Sequence, residues 1–414
     1  MQPKYLIFIF LFLLFSCEKE NETALNLKFY GDAYEDIGYS IAANSQGEYL
    51  IAGTTTLIER EPTSAGSLIT GSSKKMIVLK TDAEGKQLGD PLVLGGSLEA
   101  SGFRVLALDD GSSVAAGTVT DPETLTKDIY VVKVGPDVSS ATEAIFISEG
   151  NQTATDIVKT PGGFIILGTT DIKREPVTEY TGNAAGKKDV LILRLNDDLV
   201  QLTPVQPVGF IGNDEGAAIK EDAQGGYIIA GTTDRSEKVS SEQAGTNIFI
   251  FRINSDGSTT QPRILGGTRN ETASDLEVLD DGYLISGTIG NEGTDQQAYL
   301  WKLPFNIYSD PEFSKEIDLN GSTANISYSV KAMCRYRTSS FLLAGQHGTG
   351  LSSRMLIFSV DAFGNLVEDR IMITGGTGSQ SVNDVIADEF NNIIAVGRNS
   401  YENNSMITFL KFRF

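Results

Sequence analysis

The chain has 414 residues and is acidic, with 33 basic against 54 acidic side chains and a formal charge of −21, which disfavours nucleic-acid backbones and anionic headgroups as partners. Its 43 glycines, 14 tyrosines and 20 phenylalanines, and the lack of long helix-periodic stretches, favour short strands and tight turns over helices. With two cysteines and one histidine, a cysteine zinc site and a His-rich metal site are excluded, and a catalytic triad has His347 as its one possible histidine.

The first element is "YLIFIFLFLLF", Tyr5 to Phe15. It is too short to span a bilayer core of about 30 Å as a helix and reads as a secretory signal. The run closes with "LFSC", Leu14 to Cys17, which resembles the lipobox of bacterial lipoproteins. That resemblance implies a lipoprotein signal peptide over residues 1–17 that is cleaved ahead of Cys17, leaving Cys17 as a lipidated N-terminus with a thioether-linked diacylglycerol and an amide-linked acyl chain, more than the two signals stable anchoring needs. "CEKENE", which follows, resembles the Lys-acidic export signal that sends lipoproteins of the Bacteroidota to the cell surface. The alternative reading of residues 18–24 is a flexible acidic tether.

From residue 25 onward one phrase recurs: "YLIAGTT" at 49, "SVAAGTV" at 113, "FIILGTT" at 164, "YIIAGTT" at 227, "YLISGTI" at 283, "FLLAGQH" at 341 and "IIAVGRN" at 393. Its glycines, Gly53, Gly117, Gly168, Gly231, Gly287, Gly345 and Gly397, recur about every 57 residues. An apolar run follows each phrase, such as "MIVLK", "VLILRL" or "IFIFRI", and suits a strand buried on both faces. A third run exits through glycine, as in "PLVLGG" and "PRILGG". Another strand precedes the phrase across turns such as "SQGE" or "DDGS", where glycine supplies positive φ.

Each unit is therefore four antiparallel strands, A to D, and seven units predict an all-β, seven-bladed β-propeller over residues 25–414. The last unit ends at Phe414 without a strand D, and "LNLKFYGD" at Leu25 to Asp32 supplies it, closing the ring from the N-terminus. The phrase as a whole resembles the propeller repeats of bacterial secreted and surface lipoproteins. That resemblance specifies architecture far better than activity.

In this frame B to C and D to A connections share one face of the disc. The insertions "IEREPTSAGSLITGSSKK" in blade 1, "IKREPVTEYTGNAAGKKD" in blade 3 and "TDRSEKVSSEQAGTN" in blade 4 all join strands B and C. Long connections on a rigid scaffold are candidate binding elements, and Arg60, Glu61, Arg174, Glu175, Tyr180, Asp234 and Arg235 are their candidate contacts. They read equally as solvated decoration.

Five residues before the central aliphatic residue of strand A stand Asp36, Ala100, Gln152, Asp214, Glu271, Asn325 and Gln380, with Glu99 beside the alanine. These polar residues are expected either to ring the channel mouth, for a ligand or cation, or to hydrogen-bond the backbone of the D to A turn.

His347, in "AGQHGTG", reads as a loop residue, and Cys334, in "SVKAMCRY", as a small buried strand residue. The turns lack the ligand spacing of calcium loops and the Ser-x-Asp-x-Gly spacing of sialidase Asp boxes. No catalytic residue, metal or cofactor is nominated. The expected function is a lipid-anchored, cell-surface propeller of the outer membrane, acting without catalysis as a binding or scaffolding subunit for an outer-membrane protein. The alternative is a glycan-binding or glycan-cleaving propeller in nutrient capture, since a pair of carboxylates depends on distance rather than spacing.

Overall fold

The computed structural model describes residues 25–31, 34–63, 66–171, 188–210, 212–234, 245–267, 269–319, 326–401 and 404–414. Signal, Cys17 and tether lie outside these, as do Asn325, Arg174, Glu175, Tyr180 and Arg235. Among the described residues no helix is long and apolar enough to cross a membrane. Seven four-stranded antiparallel sheets make up the fold, six of them consecutive in sequence. In the seventh, Asn26–Tyr30 pairs with Asn404–Phe412 from Asn26 opposite Lys411 to Tyr30 opposite Ile407. The predicted ring of seven blades, closed by the N-terminal strand, is the observed architecture.

The repeated glycine follows from packing. In every blade strand A carries a one-residue bulge directly opposite it, and Gly53, for instance, pairs with Gly38, beyond which Tyr39 is pushed out of the ladder. The same break lies at Phe103, Thr155, Ala217, Ser274, Lys331 and Asn383. At each glycine a Cβ would overlap a strand A carbonyl oxygen, that of Ile37, Ser101, Thr153, Glu215, Thr272, Ser329 or Ser381 in blade order. A side chain there would force the two strands apart.

The core is seven apolar layers, one between each pair of neighbouring blades, including Ile41, Ile51 and Ile77 of blade 1 against Val396, Ile407 and Phe409 of blade 7. Polar ties supplement them. The threonine after the glycine accepts from the next blade's strand A: Thr118 from the Ala154 amide at 3.2 Å, Thr232 from Ala273 at 3.0 Å, Thr288 from Val330 at 3.1 Å. On the opposite face basic side chains reach the next blade's C to D turn. Lys80 donates to the Pro136 carbonyl, Lys133 to Asp197, Arg194 to Gly257, Lys315 to Phe363 and Lys411 to Ala83, at 2.6 to 3.3 Å. The lysine or arginine inside most of the apolar C strands thereby has a structural reason.

The blade 1 insertion differs from the loop the sequence suggests. Strands B and C run on as Tyr49–Thr63 and Gly66–Thr81, a two-stranded ribbon rising from the disc, with a bulge between Glu59 and Arg60. Its threonines, isoleucines and leucines suit continued pairing. His347 also differs, ending strand B of blade 6 (Ser340–His347) instead of lying in a loop, with its ring stacked on Tyr328.

Deleting residues 25–30 removes the five-residue closing strand and bares the edge of Asn404–Phe412. At about 1 kcal/mol per lost ladder hydrogen bond, thermal unfolding should show a loss on the order of 4 kcal/mol, and light scattering should show association through the exposed edge.

Candidate functional site

The strand A bulges build the channel wall in three tiers. The seven bulge residues, Tyr39, Phe103, Thr155, Ala217, Ser274, Lys331 and Asn383, all line one pocket of about 440 Å³ at the mouth on the face of the B to C connections. One residue further on, Ser40, Arg104, Asp156, Asp275 and Asp384 form the waist, while their counterparts Ala218 and Ala332 are buried in the layers between blades. Two residues beyond that, Ala42, Leu106, Val158, Lys220, Glu277, Cys334 and Ile386 line a lower cavity of about 790 Å³ opening toward the opposite face. Arg104 borders both spaces.

The waist carboxylates are buried and committed. Asp384 Oδ2 accepts from the Ser40 hydroxyl at 2.8 Å and from the Ile41 amide at 3.0 Å, across the ring closure. Asp156 accepts from Ile219 and Asp275 from Met333, each at 2.9 Å and each in the next blade. Their other oxygens take the amide of the following residue. Arg104 spans from blade 2 to Asp156 at 2.8 Å and to Asp384 at 3.2 Å. Lys220 stands 3.9 Å from both Asp275 and Glu277. Burial, opposed by Lys220 and aided by Asp275, pushes the Glu277 carboxyl up to about 6. Cys334 is half-buried in this lower wall, and burial raises its thiol well above the ordinary value, which disfavours the thiolate. Among the described residues no group of three His, Cys, Asp or Glu side chains is placed to hold a metal.

The candidate channel-mouth residues lie one step away from the channel. Asp36, Gln152, Asp214, Glu271 and Gln380 are buried, and neither channel space is lined by them. Four of them hold the D to A turns: Asp214 accepts the Phe210 amide at 2.5 Å and Glu271 the Gly267 amide at 2.9 Å, while Gln152 donates to Glu149 and Gln380 to Thr377. In blade 2, where the position is Ala100, the buried Lys75 substitutes by donating to the Gly96 and Leu98 carbonyls at 2.9 and 2.6 Å. Glu99 instead borders a surface pocket with Lys74. In blade 6 the bulge at Lys331 makes Met333 the counterpart of Ile41, so the equivalent position is Tyr328. Its hydroxyl serves Ile317 and Leu319 in the same kind of turn, and Asn325 lies outside the described residues.

Of the insertion residues, Arg60 and Glu61 are exposed on the ribbon, and Arg60 donates to the Tyr34 hydroxyl at 2.9 Å. Lys74 pairs with Glu35 at 2.8 Å on the same ribbon face, enclosing with Ile58, Ile69 and Tyr34 a pocket of about 420 Å³. Asp234 is a local clasp, accepting both the amide and side-chain nitrogen of Asn213 at 2.8 and 2.7 Å.

The spacing analysis missed the tier residues. Their trace in the sequence is "TDIV", "SDLE" and "NDVI", where an aspartate directly precedes the central aliphatic residue and breaks the strand's alternation.

No family model matches the chain, and no curated protein matches it in sequence. Solved structures are similar in fold. An ulvan lyase of polysaccharide lyase family PL25, bound to GlcA(1-4)Rha3S, has a TM-score of 0.58 at 10% identity, over 92% of this chain and 95% of that one. Raptor of Chaetomium thermophilum gives 0.53 at 8% identity over 95% of this chain, which spans only 29% of Raptor. At these identities the likeness establishes the β-propeller and nothing of its activity.

Removing Arg104 leaves the Asp156 and Asp384 charges uncompensated near the waist, so Arg104→Met should lower stability in urea titration by about 3 kcal/mol. Glu271 has its carboxyl raised by burial to about 7. The folded state therefore holds its proton more tightly than the unfolded chain, and its contribution to stability falls as pH rises from about 4.5 to 7. Glu271→Gln, which keeps an acceptor for the Gly267 amide, should raise the melting temperature by about 2 °C at pH 8 and leave it unchanged at pH 5.

Proposed function

We propose that the protein is a lipoprotein anchored through Cys17 at the outer face of the outer membrane, and that its propeller is a non-catalytic binding subunit for an outer-membrane protein. The observation that carries the reading is a sector of apolar tips on the face of the B to C connections. Leu57 and Leu68 of the ribbon are 41% and 58% exposed, Leu125 in blade 2 is 69% exposed and Leu351 in blade 6 is 80% exposed. Blades 6, 7, 1 and 2 adjoin in the ring, so these tips occupy one side of one face. Apolar side chains in neighbouring blades on this face favour a protein partner, although the opposite face also exposes Val200, Leu202, Phe363 and Phe390.

The chain path supports the same orientation. Strand Asn26–Tyr30 starts on the opposite face, where the Asn26 side chain donates to the Glu84 carbonyl in the C to D turn of blade 1. Cys17 precedes Asn26 by nine residues, a reach of at most about 30 Å. An anchor there keeps the short-hairpin face toward the membrane and turns the apolar sector away from it, toward the parts of a neighbouring protein that stand above the bilayer. Glycan binding is a second reading, favoured by the aromatic and cationic lining of the channel mouth.

Affinity isolation from mildly solubilised membranes, with a tag on a linker after Phe414, should recover a near-stoichiometric outer-membrane protein. Leu57→Glu with Leu68→Glu should cut that recovery at least tenfold without changing the melting temperature, whereas isolation of the propeller alone overturns the partner. Cys17→Ser should move the protein out of the membrane fraction. Protease added to intact cells should digest the wild type, and full protection would overturn surface exposure.

A further inference from the structure

The mouth pocket has a charge opposite to that of the chain. Lys331 lines it, and the ammonium meets only the neutral Asn383 Oδ1, at 2.8 Å; among the described residues no carboxylate pairs with it. Arg398, in the adjoining strand B of blade 7, donates to the Ser379 hydroxyl at 3.1 Å, has no carboxylate partner among the described residues either, and keeps a buried Nε without a hydrogen-bond partner. The waist carboxylates Asp156, Asp275 and Asp384 are already taken, by backbone amides and, for Asp156 and Asp384, by Arg104. Desolvation by the surrounding channel wall and the Arg398 charge lower the Lys331 ammonium to about 8, while the side chain itself stays exposed at the channel mouth with no carboxylate partner among the described residues. A chain carrying −21 has no shortage of carboxylates to neutralise such a group, and here none is supplied.

Beside the cation the pocket has an aromatic wall. Tyr39 and Phe103, the bulge residues of blades 1 and 2, pack edge to face with centroids 5.2 Å apart. Thr153, Thr155, Ser274 and Asn383 contribute polar atoms. The Ser274 hydroxyl donates to Val330 and that of Thr155 to Leu167, which leaves their oxygen lone pairs to accept. The volume of about 440 Å³ lies at the small end of ligand sites, about 300–1,000 Å³, and suits a sugar unit or two and no folded segment.

We propose that the channel mouth binds an acidic sugar unit of an oligosaccharide, with its carboxylate or sulfate on Lys331 under the field of Arg398, its C–H face against Tyr39 and Phe103, and its hydroxyls on Thr155, Ser274 and Asn383. This deepens the glycan-binding reading and is independent of the partner reading, because the bulge residues and the apolar tips are separate sets. The aromatic wall makes contact with a ring and the lone cation selects its charge, so neither element alone accounts for the composition of the pocket.

The test is titration calorimetry on the full-length chain in detergent micelles. The probes are a tetrasaccharide alternating glucuronate and N-acetylglucosamine, the same compound with sulfate esters, its carboxyl-reduced neutral form, and a hexaglutamate peptide. The expected result is saturable binding of an acidic tetrasaccharide, at least tenfold weaker for the neutral form and for hexaglutamate. Lys331→Gln should weaken it at least tenfold, Lys331→Arg should retain it, and Phe103→Leu should weaken it with the melting temperature unchanged. Equal binding of the neutral form overturns the acidic preference while leaving glycan binding in place. Equal binding of hexaglutamate, or an unaffected Lys331→Gln, overturns the site, and absence of binding by both acidic tetrasaccharides overturns the site and the glycan reading together.

Discussion

The close approach of strand B to strand A at the repeated glycine is the constraint from which the rest of the ring follows. Because a Cβ there would overlap the strand A carbonyl, the sequence can keep the contact only with glycine, and strand A answers with a bulge directly opposite. The bulge does two things in each blade. It pushes one side chain into the channel mouth, and it re-aims the next one toward the neighbouring blade or the channel axis. A single steric requirement, repeated seven times, thus creates both the wall of the channel and the inner ties between blades.

Those ties divide into directional and non-directional parts. Apolar layers between blades supply the bulk of the burial and are tolerant of exchange among isoleucine, valine and leucine. Register and spacing come from the polar bonds: waist aspartates to the next blade's amides, threonines to strand A amides, and basic side chains to C to D turn carbonyls. Each satisfies a backbone group that the bulge or the turn leaves open, so the polar groups near the axis are well paired despite their burial. Lys331 and Arg398 stand apart from this economy, and their unpaired charge is what separates the mouth from the waist.

The two faces of the disc also differ in kind. One has hairpins tied to neighbouring blades by lysine and arginine. The other carries the ribbon with Leu57 and Leu68, the exposed Leu125 and Leu351, and the mouth pocket. The contrast follows from topology, because among the described residues the long B to C extension of blade 1 rises on the face where every strand B ends and strand C begins.

The sequence by itself determined the number of blades, their four strands and the closing of the ring, because the glycine phrase, the apolar runs and "LNLKFYGD" are local patterns repeated at a fixed interval. It also pointed to the buried polar position of strand A as either a channel-mouth or a turn-holding one, except in blade 2, where Lys75 serves the turn in place of Ala100, and in blade 6. There Val330 lies before the bulge and Met333, after it, is the counterpart of Ile41, so Tyr328 takes the place assigned to Asn325. Only the tertiary structure decided which residues face the channel. A bulge changes which side of a strand each later residue occupies, and the sequence marks it only by an aspartate out of phase. The pairing of Arg104 with Asp156 and Asp384, residues 52 and 280 positions apart, and the lack of such a partner at Lys331 depend on how seven blades meet around one axis. A repeat fixes the shape of the unit, whereas the chemistry at the centre is set where different units converge.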